Sequence, residues 1–96
     1  MENKKYPDNY FEHYIVCFST GRHTSDEAGF EKLARLYIDI EGVETFSELI
    51  KEIKCIYDNN DWSYFESIIK QFEIEDLDID KIKEMAAVAL RIFKEI

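Results

Sequence analysis

Ninety-six residues with 21 acidic and 12 basic side chains, a formal net charge of −9, leave room for one domain around a single hydrophobic core. Hydrophobic residues make up 46% of the chain and aromatics 15%, which excludes a disordered acidic tail. The charge disfavours nucleic acid and anionic membrane surfaces, which are bound through Lys and Arg, and favours encounter with basic proteins.

Residues 1–7 read as a polar leader ending at Pro7, followed by one domain over 8–96. Asp8 suits the cap of a first element over about 9–19. Tyr10, Tyr14 and Phe18 recur there at helical spacing, yet the run His13–Thr20 also fits a short buried strand. We favour helix, ended at Gly21. Thr24-Ser25-Asp26-Glu27 has the form of a capping box with Thr24 as N-cap and Glu27 three residues on. It opens a helix over about 25–41, with Ala28, Phe30, Leu33, Ala34, Leu36, Tyr37 and Ile40 as its apolar positions and Gly42 as its stop.

Thr45-Phe46-Ser47-Glu48 is a second box of the same form, opening a helix over about 46–58. Its stripe is Phe46, Leu49, Ile50, Ile53, Ile56 and Tyr57. Asp61 suits the cap of a helix over about 62–73, with Trp62, Phe65, Ile68, Ile69 and Phe72 on one face. Asp78 or Asp80 then caps a last helix over about 79–95, where Ile82, Met85, Ala86, Ala89, Ile92, Phe93 and Ile96 share a side. Its acidic start and the late Arg91 and Lys94 suit the helix dipole. One Pro and three Gly supply few turns for an all-β fold. The expectation is all-α: a compact bundle of four to five amphipathic helices.

Cys17 and Cys55 form no short pair and read as reduced, buried thiols of a cytoplasmic protein. No apolar stretch approaches the length of a signal-peptide core or a membrane span. Asp76-x-Asp78-x-Asp80 has the spacing that opens a calcium loop, but Lys81 and Ala87 stand where such a loop needs Gly and Glu. Asp58-Asn59-Asn60-Asp61 fails likewise at Trp62. The two His and two Cys match no zinc spacing. Gly21-Arg22-His23-Thr24 lacks the glycines of a phosphate-binding loop and reads as a turn before a cap. Cys17 with His23 is the least improbable nucleophile and base, set against a structural thiol between Val16 and Phe18. No metal, cofactor or catalytic residue is assigned.

The segment that stands out is Glu73-Ile74-Glu75-Asp76-Leu77-Asp78-Ile79-Asp80, five carboxylates interleaved with three aliphatic side chains. Anchoring of Ile74, Leu77 and Ile79 on the core turns the acids into a fixed array, and the bland reading is a capped, solvated loop. Tyr64, two residues from Trp62, lies off the buried stripe beside Asp61 and suits an interface anchor. The candidate partner-binding residues are therefore Asp58, Asp61, Tyr64, Glu73, Glu75, Asp76, Asp78 and Asp80, and the partner is a basic protein.

With these features the chain resembles the small acidic immunity proteins of bacterial toxin systems, the colicin-type and contact-dependent growth inhibition families. The likeness lies in size, helical pattern, acidity and the stretch 58–80, with its Asp61-Trp62 pair and acidic-aliphatic string. It implies a non-enzymatic protein that binds a cognate toxin domain, a nuclease, and needs no cofactor. The immunity proteins against colicin DNases carry a Tyr-Tyr-Pro element between helices. This chain has Tyr6-Pro7 near its N-terminus, so that subfamily and its binding residues are not carried over. Two further expectations stand beside it: a nucleic-acid-mimicking inhibitor of a defence enzyme, and a helical adaptor that binds a partner helix or itself.

Overall fold

The computed structural model describes residues 9–75 and 77–96, among which there are five helices and no strand. They are α1 (Tyr10–Thr20), α2 (Glu27–Glu41), α3 (Val43–Asn59), α4 (Trp62–Gln71) and α5 (Ile79–Glu95). The expected all-α bundle is the fold. The ambiguous first element is a helix, because Phe11, Tyr14, Ile15 and Phe18 form a buried stripe of period 3.6. The leader 1–7 and Asp8 lie outside the described residues.

The helix starts depart from the expected caps. At α2 the N-cap is Asp26, two residues after Thr24. The Asp26 carboxylate accepts from the Gly29 N–H at 2.8 Å and from the Thr24 hydroxyl at 2.8 Å. Thr24 therefore supports the cap instead of forming it. Those bonds, Gly29 first and Thr24 second, hold the Asp26 carboxyl below its ordinary range. Gly29 is needed because a Cβ there would overlap the Thr24 carbonyl.

At α3 the helix begins at Val43, ahead of the expected Thr45, and Gly42 is both the end of α2 and the N-cap of α3. Its φ of 95° and ψ of 159° let one residue turn the chain between two helices, a conformation that side chains disfavour. At α5 Asp78 is the cap, its Oδ1 accepting from the Lys81 N–H at 2.9 Å. Asp80 lies in the first turn, where its charge suits the dipole.

The start of α1 is capped from a distance. Asn9, at left-handed φ 55°, makes no side-chain cap bond. Glu52, on α3, instead accepts from the N–H of Phe11 at 2.8 Å and of Tyr10 at 3.2 Å. It is the buried charged residue among the described positions, 8% exposed, and its oxygens occupy the positive end of the helix.

The ends of α1, α3 and α4 share one device. Arg22, Asn60 and Glu73 each take left-handed φ near 55°, the place usually given to Gly. Each turn closes with paired N–H···O=C bonds, for example Ile74 to Ile69 and Glu73 to Lys70 after α4. The expected stop Gly21 stays right-handed and passes the turn to Arg22. The α4 helix accordingly stops at Gln71, short of the expected 73.

The core joins all five helices. Phe11 meets Phe65 edge-on at 4.9 Å, and Tyr14 meets Tyr37 at 5.2 Å. Burying a ring of this kind is worth about 3–5 kcal/mol against truncation to Ala. The Tyr14 hydroxyl is buried with no hydrogen-bond partner among the described residues, and burial pushes its pKa well up.

Several expected core positions are exposed: Ala28, Leu36 and Ile40 on α2, Tyr57 on α3, Phe72 after α4 and Ile96. Seven apolar positions on α2 cover more arc than one face buries, so Phe30, Leu33, Ala34 and Tyr37 go inward and the others do not. Tyr57 lays its edge on Trp62 at 4.9 Å and shields that ring from outside. Cys17 is half-buried, whereas Cys55, expected to be buried, faces outward one position from buried Ile56. Among the described residues no helix is long and apolar enough to cross a membrane.

Candidate protein-docking site

The acidic segment is held down by its aliphatic residues. Ile74 and Leu77 are buried at 7% and 5% exposure, and Ile79 packs against the core from its rim. Glu73, Glu75 and Asp78 between them are exposed. The closing bonds after α4 place Ile74 inward and turn the flanking glutamates out. Asp76 lies outside the described residues.

Glu73, Glu75 and Asp78 border a cleft of about 290 Å³ between α4 and the start of α5. Its floor is Ile69, Ile74 and Leu77, and Glu66 and Lys70 stand on the α4 side. Glu66 was absent from the sequence-derived set. Its signal was nevertheless present: Glu66, Ile69, Lys70 and Glu73 fall at i, i+3, i+4 and i+7, one line on a helix. On their other side Glu73 and Glu75 share a depression with Arg22 and His23. No ion pair engages Glu66, Glu73 or Glu75 among the described residues.

The remaining predicted residues are elsewhere. Asp58, in the last turn of α3, is exposed. Asp61 is the N-cap of α4 and makes no side-chain cap bond. Tyr64 is 36% exposed, its ring edge-on to Phe65 at 4.9 Å. These three lie at and before the first turn of α4, and none of them lines the cleft. Asp80 is exposed in the first turn of α5. Glu73, Glu75 and Asp78 are brought together; Asp58, Asp61 and Tyr64 form a separate group.

Cys17 and His23 both line a different cleft, between α1 and α2. Burial first, and Glu41 second, push the Cys17 thiol up, opposite to what a nucleophile needs. Burial and then Lys32 push His23 down, and its Nε2 is buried without a hydrogen-bond partner among the described residues. Among the described residues no three His, Cys, Asp or Glu side chains converge as a metal site would require.

The chain matches no protein-family model, no curated protein and no solved structure.

Proposed function

We propose that this protein is a non-enzymatic, cytoplasmic inhibitor of the immunity-protein kind, which binds a basic toxin domain, a nuclease, through the acidic cleft at the α4–α5 corner. The observation that carries the reading is an apolar floor of Ile69, Ile74 and Leu77 inside a rim of Glu66, Glu73, Glu75 and Asp78. Charge on the rim accelerates encounter with a basic surface, and the apolar floor slows release once a side chain enters. A nuclease presents such a surface because its substrate is a polyanion.

The test begins with the neighbouring gene, which should encode a basic toxin domain; co-expression of that domain with this chain should spare the cells. Association is then followed by stopped flow. Glu66→Gln, Glu73→Gln and Glu75→Gln together should slow association at low salt by about tenfold and flatten its salt dependence. Asp78 is left intact because it caps α5. An association rate that the triple variant leaves unchanged at low salt removes the corner from the reaction, and cells left unprotected by the unaltered chain remove the toxin reading itself.

A second reading, a helical interaction module, is favoured by a specific feature of another face. Leu36 and Ile40 stand 42% and 69% exposed on α2.

A further inference from the structure

The outer side of α2 carries Lys32, Leu36, Asp39 and Ile40 at i, i+4, i+7 and i+8, which places them along one stripe about two turns long. Leu36 and Ile40 are the exposed aliphatic centre of that stripe. One flank runs into the apolar cleft of about 240 Å³ between α1 and α2, floored by Leu33, Tyr37 and Cys17. The other flank is charged, with Lys32 at its N-terminal end and Asp39 at its C-terminal end, both exposed. Their neighbours Glu31 and Arg35 are already engaged with α5. Lys32 and Asp39 take part in no ion pair among the described residues.

We propose that a second copy of this chain docks antiparallel on this stripe, Leu36 against Leu36, with Lys32 of each copy facing Asp39 of the other. The charge pattern selects that occupant. In antiparallel helices the same flank of each faces the other, so an edge that is basic at one end and acidic at the other complements itself. A parallel pairing would set this charged flank against the apolar flank of the other copy and leave Lys32 and Asp39 without their partners across the interface. In the antiparallel register Ile40 lies over the aliphatic stem of the second copy's Lys32. The stripe shares no residue with the α4–α5 cleft, so the proposal does not depend on the toxin reading.

Two opposing factors set the strength. A stripe of two helical turns buries less than the roughly 1,200–2,000 Å² of a stable interface. The net charge of −9 on each copy adds repulsion. The dimer is therefore weak and concentration-dependent, and it strengthens with salt as the Debye length falls from about 30 Å at 0.01 M to about 8 Å at 0.15 M. Binding of a basic partner at the other cleft weakens over the same range.

The experiment is analytical ultracentrifugation of the full chain from about 10 µM to about 1 mM, a range that brackets a weak dissociation constant. The expected result is a reversible monomer–dimer equilibrium, abolished by Ile40→Glu. Lys32→Asp and Asp39→Lys should each weaken it by about fivefold, and the double swap should restore it. Asp39→Lys is the sharpest arm, because it makes the chain less negative. If net charge alone governed association, that variant would strengthen the dimer. All these positions are exposed, and circular dichroism checks that each variant is folded. A monomer at every concentration overturns the proposal, as does a dimer indifferent to Ile40→Glu, strengthening by Asp39→Lys, or no recovery in the double swap.

Discussion

Along the seam between α2 and α5, carboxylates and guanidinium groups alternate in a closed ring; at the corner between α4 and α5, Glu66, Glu73 and Glu75 enter no ion pair among the described residues. In the ring, Arg91 donates to Glu31 at 2.9 Å and to Glu95 at 3.4 Å, and Arg35 reaches the same two acids at 3.4 Å. Arg91, and then Arg35, hold the Glu31 carboxyl below its ordinary range. At the corner, Glu66, Glu73 and Glu75 surround an apolar floor and enter no ion pair among the described residues. Acidity here divides into two kinds. Some carboxylates hold helices to each other or cap them. Others enter no ion pair among the described residues, and under the proposed function these face the partner.

Glu52 gives that division its strongest test on the structural side. Its carboxylate closes two N–H groups at the start of α1 from a buried position on α3. Glu52→Ala leaves those donors without an acceptor and should cost about 2–3 kcal/mol of unfolding free energy. Glu52→Gln keeps one acceptor oxygen and should lose about half as much. Urea unfolding of the two variants measures both values. A loss below about 0.5 kcal/mol in the Ala variant would mean that water replaces the carboxylate without penalty, and the structural class would lose its clearest member.

The sequence made the helical period and the buried stripes legible, because each depends on spacing within a dozen residues. The interleaving of Ile74, Leu77 and Ile79 with acids was legible for the same reason. Glu52 was not, since its partners Tyr10 and Phe11 are some forty positions away and only packing of α1 on α3 joins them. The caps misled by proximity: Thr24 and Thr45 have the right local pattern. Packing of Gly29 beneath Thr24 moved the first cap to Asp26, and the one-residue turn at Gly42 absorbed the second into α3. The grouping of the candidate residues was readable in part. Glu73, Glu75 and Asp78 share a cleft, whereas Asp58, Asp61 and Tyr64 lie towards the start of α4 and line no part of it.

Glu73 separates the two kinds of carboxylate within a single residue. Its backbone holds left-handed φ 54° at the end of α4, a conformation that costs a non-glycine residue about 1 kcal/mol. Glu73→Gly should therefore raise stability by up to about 1 kcal/mol, less the entropy that Gly adds to the unfolded chain. Under the proposed function the same change removes a rim charge and slows association with a basic partner. Stability and association should thus move in opposite directions, measured by urea midpoint and stopped flow on one preparation. A variant less stable than the unaltered chain would show that the Glu73 side chain contributes to the fold.

Acid titration produces the smallest effects and orders the structural carboxylates among themselves. His23 is pushed below its ordinary value of 6.5 by burial and then by Lys32, so the unfolded chain takes up its proton first. Its contribution is present above about pH 6.5 and is lost as pH falls through that value towards the lowered one. His23→Gln should remove this first slope from a plot of urea midpoint against pH.

Asp26 and Glu31 are held below ordinary values of 3.8 and 4.5, so their contributions persist above those values and disappear only as pH falls further. Salt distinguishes the two. The exposed ion pairs of Glu31 are screened, so its part of the acid slope should shrink between low and physiological ionic strength. Asp26 draws first on a backbone N–H at short range, which salt screens far less, so its part should remain. Equal attenuation of both would mean that the ring at the α2–α5 seam and the cap of α2 act through the same long-range field. The distinction between local capping and charge pairing would then collapse.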